Sequence, residues 1–356
     1  MASNQLGTSF AVTSFGESHG KHIGVVIDGC PSNFKIDLGL IQCELNRRRP
    51  GQSEVTTSRT ERDLFEIASG IFENKTTGAP ITILIPNEDA KGKDYNHLKD
   101  VYRPSHADFT YEKKYGNRDY KGGGRSSARI TAGWVAAGAI AKQILAGFFK
   151  IDITAYVSQV HTITCNKSNV YSRDAIENSI VRCPDVKASE AMVSLINTTK
   201  ANGDSVGGIV SAVVNNCPFG VGDPVFKKLN AQLAHAMFSI NAVKGFQVGS
   251  GFDSVLKKGS ELNDNWLTGE DGFKTASNNS GGVQGGISNG MPITFDVAFK
   301  PTSTISIAQD TVDKDGNAVT LEASGRHDPC VVPRAVPIVE AMTALVLIDL
   351  LVSDCK

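Results

Sequence analysis

The sequence predicts an α+β fold, because segments with the pattern of strands occur in groups as well as in alternation with helical segments. Strands are predicted where β-branched and other apolar residues run together. These runs are GVVID at 24–28, ITILIP at 81–86, GGIVSAVV at 207–214 and ITFDVAF at 293–299. No internal repeat or linker divides the 356 residues, so we expect one domain over residues 1–356.

Four further segments have the periodicity of helices. Residues 37–47 repeat apolar side chains on one face and end in arginines, as a helix dipole favours. Residues 223–240 begin with Asp-Pro, a suitable N-cap and first helical position, and carry apolar side chains at four-residue steps. Residues 130–149 are almost free of charge, and 335–353 are apolar but carry two acidic residues. That charge predicts a buried amphipathic helix at 335–353 rather than a membrane span.

Charge and composition disfavour several classes of protein. The 36 lysines and arginines are balanced by 37 acidic residues, and a net charge of −1 gives no general attraction to nucleic acid or to anionic membranes. The seven cysteines are scattered without a spacing typical of metal sites, so we expect reduced thiols and no metal. The first residues, MASNQLGTSF, lack the basic and apolar blocks of a signal peptide, which favours a soluble, cytoplasmic protein.

The most informative stretch is GGGRSSAR at 122–129, which leads directly into the predicted helix at 130–149. Glycines let backbone N–H groups approach a ligand, and the start of a helix favours an oxyanion. If the helix begins near Ser126, Arg125 and Arg129 lie on one face, where guanidinium groups bind phosphate or carboxylate. The alternative is a flexible glycine loop with two solvated arginines. We expect an anion-binding loop in which Arg125 contributes little to core packing.

Two histidines lie in loops suited to proton transfer. His19 stands in GESHG before the first predicted strand, and His106 stands in RPSHAD with an arginine and an aspartate nearby. An imidazole with a pKa near ~6.5 exchanges a proton readily at neutral pH. The alternative for either residue is an ordinary surface or core histidine. The other histidines have no comparable setting and are expected to be structural: His22, His97, His161 and His235.

Two more loops carry polar groups. In GRHDPC at 325–330, Asp328 lies close to Arg326, and a carboxylate beside an arginine stays ionised and suits a base or an orienting group. The alternative for Asp328 is an Asx turn. In KPTST at 300–304, one ammonium group and three hydroxyls could form a phosphate cradle, and the alternative is an ordinary polar turn.

Glycine and arginine also concentrate elsewhere. The run NNSGGVQGGISNG at 278–290 is a second glycine-rich loop, against whose backbone a planar ligand could lie. A basic cluster follows the first predicted helix; such a run is usually a solvated face, but this one would suit a polyanionic small molecule. Its members are Arg47, Arg48, Arg49, Arg59 and Arg62.

These residues alone indicate an enzyme that acts on a phosphorylated and carboxylated substrate, with histidines as general acids and arginines as clamps. A phosphate-eliminating lyase and a phosphotransferase fit equally well. The sequence has no P-loop, no dinucleotide-binding GxGxxG after a strand, no GxSxG and no HExxH. Nothing in these residues alone calls for a flavin.

Three segments resemble the signature motifs of the chorismate synthase family: GESHGKHIGVVIDGCP at 16–31, GRSSARITAGWVAAGAI at 124–140 and RHDPCVVPRAVPIVEAM at 326–342. Four more stretches match the family in the expected order, and the similarity extends from about residue 7 to residue 350. Seven collinear motifs make the resemblance specific. The four are RRRPG at 47–51, RPSHADFTYEKKYG at 103–116, SINAVKGF at 239–246 and KPTST at 300–304.

The resemblance implies conversion of 5-enolpyruvylshikimate 3-phosphate to chorismate by a 1,4-anti elimination of phosphate and a ring hydrogen, a step of aromatic amino acid biosynthesis by the shikimate pathway. It also implies a requirement for reduced FMN, a layered β-α-β sandwich with helices packed between antiparallel sheets, and a homotetramer. The substrate carries two carboxylates and a phosphate, which accounts for the many arginines on a protein of nearly neutral charge.

The resemblance also implies roles for individual residues. His19 and His106 would donate protons, one toward the departing phosphate and one toward the reduced flavin. Asp328 would lie near the flavin N5 and help it take the ring hydrogen, and Arg48 and Arg129 would bind substrate anions. The FMN site would be formed by Arg125, Ser126, Ser127, Asn241, Ala242, Gly285, Lys300, Pro301, Thr302, Ser303, Thr304 and Arg326.

One position departs from the family pattern. Glu54 reverses the charge of a residue that is often basic in the family. A contact from this position to substrate or to a nicotinamide (NADP) reductant would therefore be absent, or be made by Arg59 or Arg62. The family divides into members with their own flavin reductase activity and members supplied with reduced flavin from outside. The chain has no evident long insertion, which favours an external flavin reductase or reductant.

Two other hypotheses remain open. The first is a flavin-independent phosphate-eliminating lyase that acts on a small polyanionic substrate. The second is an RNA-binding protein that uses the arginines at 47–49. The nearly neutral charge and the lack of stacking aromatic residues near those arginines disfavour the second hypothesis.

Overall fold

Two five-stranded antiparallel sheets flank a layer of helices. The computed structural model describes residues 3–57, 59, 61–89, 95, 97–167, 171–269, 272–322 and 328–354. The strands of this part of the chain are β1 (Gln5–Leu6), β2 (Ala11–Gly16), β3 (His22–Asp28), β4 (Glu66–Ser69), β5 (Ile71–Phe72), β6 (Lys75–Thr76), β7 (Ile81–Pro86), β8 (Asp152–Val160), β9 (Ile163–Thr164), β10 (Gly208–Asn215), β11 (Val243–Val248), β12 (Trp266–Gly269), β13 (Gly272–Thr275), β14 (Val283–Gln284), β15 (Ile287–Ser288), β16 (Ile293–Phe299), β17 (Gln309–Val312) and β18 (Ala318–Leu321). The α-helices are α1 (Leu38–Arg48), α2 (Asp108–Tyr115), α3 (Thr131–Ile144), α4 (Arg173–Glu177), α5 (Val186–Ala201), α6 (Leu229–Phe238), α7 (Gly259–Leu262) and α8 (Val332–Asp354).

The first sheet has the strand order β1-β2-β3-β7-β4, with every neighbouring pair antiparallel. Val25 of β3 lies opposite Ile83 of β7. Alternate residues of β7 are fully buried, as a strand with one face against the core requires. This buried face is formed by Ile23, Val25, Ile27, Ile81, Ile83 and Ile85.

The second sheet has the strand order β11-β16-β10-β8-β9 and is also antiparallel. Val297 of β16 pairs with Val210 of β10. Strand β16 alternates between buried and half-buried residues along its whole length. Its buried set is Ile293, Phe295, Val297 and Phe299.

Helices α3 and α8 form the middle layer. Helix α3 packs on β3 and β7 of the first sheet, α8 packs on β8 and β10 of the second, and the two helices pack on each other. Gly138 permits this close approach, because a Cβ on it would lie 2.4 Å from the Cβ of Ala341. The predicted α+β class, with helices between antiparallel sheets, is confirmed.

The two apolar helical stretches belong to the core. Ala128–Phe149 and Val332–Ser353 are long and apolar enough to cross a membrane by length and composition, but 61% and 89% of their most apolar windows are buried inside the structure. Glu340 of α8 is fully buried and forms salt bridges with Arg47 at 2.6 Å and Lys142 at 2.7 Å. The prediction of a buried helix at 335–353 is confirmed, but the helix is buried on nearly all sides rather than amphipathic.

The sequence-based element bounds fail mainly at helix starts. The predicted strands and the helix at 37–47 are found with bounds that shift by at most a few residues. The helix predicted from Asp223 begins instead at Leu229, because residues 223–227 close a turn in which Asp223 N–H donates to Lys227 O. The Leu229 N–H then donates to the carbonyl of Gly286, which fixes the helix start through a contact distant in sequence.

Candidate active site

A cavity of about 650 Å³ lies between the first turns of α3 and α8 and several polar loops. Its lining combines apolar side chains with hydroxyl, amide, guanidinium and imidazole groups, a composition typical of small-molecule sites. The larger apolar residues of the lining are Ile130, Trp134, Ile240, Phe299, Val331 and Ile338. Most of the residues that the sequence marked as functional meet at this cavity.

The glycine-rich stretch forms one wall, but not as the start of a regular helix. Gly124–Ser126 and Ala128–Ile130 are two separate 3-10 turns, and α3 begins only after them. Gly122 has a φ of 75° and touches His19, where a Cβ would lie 2.2 Å from the imidazole Cε1. The expectation that Arg125 and Arg129 share one helical face is therefore wrong.

Arg125 fastens this stretch to the end of β2. Its Nη1 donates to Gly16 O over 3.0 Å, and its Nη2 donates to Ser14 O over 3.1 Å and to Asn4 Oδ1 over 3.1 Å. Burial lowers the pKa of Arg125. Arg125 lines the cavity, but the expectation that it contributes little to packing is wrong, because it links two parts of the fold.

A buried carboxylate joins the two arginines that the sequence marked for substrate anions. Arg48 Nη1 donates to Asp63 Oδ2 over 2.8 Å, Arg129 Nη1 donates to Asp63 Oδ1, and all three side chains are nearly inaccessible to solvent. Arg48 Nε is buried without a hydrogen-bond partner among the described residues. Burial, together with the positive charges of Arg334 and Arg129, lowers the pKa of Arg48 to about 10. Asp63 acts in the opposite direction. Both arginines line the cavity.

Asp328 also lines the cavity, and its carboxylate is bound by Thr57, which is distant in sequence, and by Arg334, six residues further along the chain. Its Oδ1 accepts from Thr57 N over 2.9 Å and its Oδ2 accepts from Arg334 Nη1 over 2.5 Å. These contacts tie the carboxylate to other elements rather than to a local Asx turn. Arg326, the expected partner, lies outside the described residues. Sequence reasoning missed Arg334, which lies one residue before the apolar run at 335–353 and lines the cavity.

His106 lines the cavity with one ring edge turned to a carboxylate. Its Nδ1 lies 2.9 Å from Asp108 Oδ1. Burial lowers the pKa of His106. The positive charges of Arg103 and Lys300 lower it further, whereas Asp108 raises it. The aspartate that the sequence places near His106 is therefore in direct contact with it.

His19 lies beside the cavity lining. Its Nδ1 is 3.0 Å from Ser18 Oγ, and its ring packs edge-on against Tyr95 with ring centroids 5.1 Å apart. Tyr95 and Gly122, which both touch His19, line the cavity. Tyr95 has no motif of its own in the sequence, and its position beside a histidine is visible only in the structure.

The loop after β16 and the loop before β11 complete the cavity. Lys300 N–H donates to Ala242 O over 2.9 Å, and Asn241 Nδ2 donates to Ser126 O over 2.7 Å. Asn241 Oδ1 is buried and has no hydrogen-bond partner within the described part of the chain. The predicted cofactor residues that line this cavity are Arg125, Ser126, Ser127, Asn241, Ala242, Lys300, Thr302, Ser303 and Thr304.

The geometry agrees with comparisons to known proteins. The family model described as chorismate synthase matches residues 10–352. The chorismate synthase of Cytophaga hutchinsonii is 54% identical over 349 residues, which are 98% of this chain and 97% of that protein. That of Christiangramia forsetii is 55% identical over 98% of this chain and 97% of its own length. The chain belongs to the chorismate synthase family.

The fold of the chain also matches a solved structure. A crystal structure of a chorismate synthase matches with a TM-score of 0.78 and 30% identity, over 98% of this chain and 93% of the other. Membership of the chorismate synthase family makes the chain an enzyme of the carbon–oxygen lyase class.

Three family-implied positions lie away from the main cavity. Gly285 is at the tip of the β14–β15 hairpin and lines neither this cavity nor a second cavity next to it. Pro301 lines that second cavity of about 660 Å³, which shares Lys300 and Thr302 with the first. Glu54 is exposed on the surface, where it accepts from Asn197 Nδ2 over 3.4 Å.

The basic cluster divides among three surroundings. Arg48 and Arg59 line the cavity, whereas Arg47 is buried among Glu44, Glu177 and Glu340. The side chain of Arg62 is 65% exposed and pairs with Glu88. Among the residues that the structure describes, no group of three His, Cys, Asp or Glu side chains could hold a metal ion.

Proposed function

We propose that the chain converts 5-enolpyruvylshikimate 3-phosphate to chorismate and phosphate by a 1,4-anti elimination, with reduced FMN as the cofactor. The observation that carries this proposal is the convergence of Arg48, Arg129 and Arg334 on one cavity with His106 and Asp328. A substrate with two carboxylates and a phosphate needs several guanidinium groups at close range. The family membership supports the same reaction.

The cavity fits a flavin. Asn241 Oδ1 is a buried acceptor without a protein donor among the described residues, and an N–H group of a flavin ring would supply one. Trp134 and Ile338 offer an apolar wall to a planar ring. Bound reduced FMN would supply electron density to the allylic system of the substrate. The residues proposed to hold it are Arg125, Ser126, Ser127, Asn241, Ala242, Lys300, Pro301, Thr302, Ser303, Thr304, Arg326 and, from its hairpin, Gly285.

The residues of the chain would bind and orient the substrate and move its protons. Arg48 and Arg129 would bind substrate anions. His19 and His106 would donate protons, one toward the departing phosphate and the other toward the reduced flavin. Asp328 is held by Thr57 and Arg334, and it would receive the proton derived from the ring hydrogen. The C–H and C–O bonds break, one carbon–carbon double bond is gained, and phosphate leaves.

We propose a homotetramer in the cytoplasm. Large apolar side chains are exposed in the segment 251–273, and exposed apolar patches usually mark interfaces. They include Phe252, Val255, Leu256, Trp266 and Phe273. Measurement of mass by light scattering on a sizing column tests the oligomeric state.

The reduced flavin would come from an external reductase or reductant, because Glu54 offers no cation for an NADP phosphate.

The decisive experiment is an anaerobic assay with 5-enolpyruvylshikimate 3-phosphate and photoreduced FMN, in which chorismate and phosphate should form in equal amounts. Turnover without reduced flavin would instead support a flavin-independent lyase. RNA binding in a filter assay at physiological salt would support the RNA-binding hypothesis. The structure disfavours that hypothesis, because Arg47 and Arg48 are buried and paired with carboxylates.

The two tryptophans of the chain provide a direct test of flavin binding. Trp134 lines the cavity, whereas Trp266 is 52% exposed on β12. Flavin bound in the cavity should quench the fluorescence of Trp134 most strongly. We expect Trp266→Phe to retain the quenching by FMN and Trp134→Phe to lose most of it. If quenching follows Trp266 instead, the flavin binds elsewhere.

A further inference from the structure

We infer that Asp108 is a positioning residue that selects which ring nitrogen of His106 faces the cavity. The carboxylate of Asp108 is 2% exposed, and its Oδ1 lies 2.9 Å from His106 Nδ1. No motif reasoning assigned Asp108 a role of its own. The inference rests on the proposed function for its catalytic consequence, but its structural part, the tautomer of His106, can be measured without turnover.

Asp108 is held as a fixed anion. Arg103 donates to it from Nε and from Nη2, each over 2.8 Å, and from its backbone N–H over 3.1 Å. Arg118 Nη1 lies 3.2 Å away. Burial alone would raise the pKa of Asp108, but hydrogen bonds from Arg103 and His106 and the positive charge of Arg103 lower it far below its ordinary value. The carboxylate therefore stays ionised.

An ionised carboxylate accepts hydrogen bonds and donates none, so Nδ1 of His106 must carry the hydrogen of the 2.9 Å contact. The nitrogen that gains and loses a proton is then Nε2. A Cβ on Gly123 would lie 3.2 Å from Cε1 and 3.6 Å from Nε2 of His106, so this ring edge faces the glycine-rich stretch, whose neighbouring Gly122 and Ser126 line the cavity together with His106. Asp108 thus directs the exchangeable proton of His106 toward the ligand, in the manner in which a carboxylate orients a catalytic imidazole.

The charges around His106 set its protonation in the unliganded protein. Arg103 and Lys300 oppose a positive imidazole, and Asp108 is the negative group that favours it. Because burial also lowers the pKa of His106, the ring is neutral at neutral pH, with Nε2 free to accept a proton. A polyanionic ligand in the cavity would favour the protonated ring, which is the form that can donate.

The competing explanation is that Asp108 only anchors Arg103 and Arg118 and so supports the fold around α2. A double-mutant cycle separates the two explanations. We expect Asp108→Asn to reduce turnover by about 10²-fold or more when His106 is present. In a His106→Ala background the same change should reduce turnover by less than about twofold. Similar losses in both backgrounds would overturn the inference.

Nuclear magnetic resonance of protein labelled with ¹⁵N-histidine tests the tautomer itself. The parent should show His106 with hydrogen on Nδ1 and a free Nε2. Asp108→Asn should shift the ring toward the Nε2–H form and lower the pKa of His106 further, because the attraction of the carboxylate is lost. An unchanged tautomer and pKa of His106 in Asp108→Asn would overturn the inference. This measurement does not depend on turnover. Failure of the parent to convert the proposed substrate is a separate result, which would disprove the proposed function.

Glu112 provides a matched control on the same helix. Its Oε2 lies 3.1 Å from Arg118 Nε in a salt bridge, and the contact partner of His106 is Asp108, not Glu112. Glu112→Gln should leave the tautomer unchanged and turnover within about twofold. If Asp108→Asn does not fold, Asp108→Glu keeps the charge but moves it by one methylene, and it should still weaken the preference for the Nδ1–H form. A fully retained preference in Asp108→Glu would contradict the inference.

Discussion

Arg334 donates from Nη1 to Asp328 Oδ2 over 2.5 Å, and both residues line the cavity. Arg334 belongs to the first turn of α8, whereas Asp328 precedes that helix. Because Oδ1 also accepts from Thr57 N, the carboxylate is fixed from two sides before any ligand binds. A group held in this way loses little conformational freedom during the reaction.

Asp328→Asn should reduce turnover strongly while leaving the affinity for FMN and substrate nearly normal. The amide keeps the size of the side chain and can still accept from Thr57 N, but it does not act as a base. Loss of a general base typically reduces a rate by about 10²–10⁴-fold. We also expect an increased isotope effect when the departing ring hydrogen is deuterium. Parent-like turnover of Asp328→Asn would remove the carboxylate from the chemistry.

The sequence predicted the fold well because its signals are local. Strands β7 and β16 were predicted from runs of β-branched and apolar residues, and the amino acids alone show those runs. The start of α6 was predicted wrongly because the Asp-Pro signal is also local, whereas the true start depends on a hydrogen bond from Leu229 to Gly286. A contact of that kind has no trace in the helical periodicity.

The site was predicted only as far as its motifs reach. His106 and Asp328 stand in polar loops, so their side chains are conspicuous in the sequence. Asp63 was not identified, although it joins Arg48 and Arg129, which are 15 and 66 residues away. Such a buried partner is determined by how the end of α1, the segment before β4 and the 3-10 turn at Ala128–Ile130 meet in the folded chain, and sequence spacing contains no record of it.

Arg125→Ala should weaken FMN binding and also destabilise the fold. Four acceptors, Gly16 O, Ser14 O, Ser14 Oγ and Asn4 Oδ1, lose their donor. A charge-assisted hydrogen bond from Arg125 to bound FMN would contribute roughly 1.5–3 kcal/mol, so its loss should raise the dissociation constant of FMN about tenfold or more. Flavin titration and urea unfolding measure the two effects. Lys121→Ala, on the same loop, is the control, and unchanged FMN affinity in Arg125→Ala would remove Arg125 from the site.

Glu54→Arg should leave catalysis unchanged within about twofold, because a solvated surface charge outside the cavity contributes little to binding inside it. Arg59→Gln should raise the KM for substrate about tenfold, because Arg59 lines the cavity and one charge-assisted contact has about this effect. Anaerobic steady-state kinetics compare the two variants. A gain of NADP-dependent flavin reduction in Glu54→Arg would show that the position does reach the cofactor site.

Glu340→Gln should destabilise the protein by about 3–5 kcal/mol at neutral pH, because it leaves Arg47 and Lys142 beside an uncharged buried group. Burial alone would raise the pKa of Glu340, but Arg47 and Lys142 lower it well below its ordinary value. The stabilisation by the Glu340 carboxylate is therefore fully present above the pKa of Glu340 in the unfolded chain. It is lost as the pH falls through the lower pKa of Glu340 in the folded protein.

Urea unfolding at neutral and acidic pH checks this dependence. The difference between the parent and Glu340→Gln should shrink as the pH falls below about 4, where the carboxyl of Glu340 takes up a proton in the unfolded chain while it is still charged in the folded protein. Glu66→Gln, an exposed change on β4, should show no such difference at any pH. A difference for Glu340→Gln that stays constant with pH would show that the stabilisation does not come from its charge.

Asp63→Asn should destabilise the free protein by about 3–5 kcal/mol, because the positive charges of Arg48 and Arg129 would then stand together in a buried site without their shared carboxylate. Burial would raise the pKa of Asp63, but the two arginines lower it, so the carboxylate is charged at neutral pH. Both guanidinium groups line the cavity, and an anion that enters should partly replace the lost charge.

Inorganic phosphate should therefore raise the melting temperature of Asp63→Asn more than that of the parent. A ligand that binds only the folded state stabilises it in proportion to its affinity, and the variant offers two less compensated cations to the same anion. Thermal unfolding at increasing phosphate, with chloride at matched ionic strength, separates specific binding from general screening. A phosphate effect of equal size in both proteins would show that Asp63 does not govern the charge presented by Arg48 and Arg129 to the cavity. A larger effect in the variant would identify the paired arginines as the anion site of the enzyme.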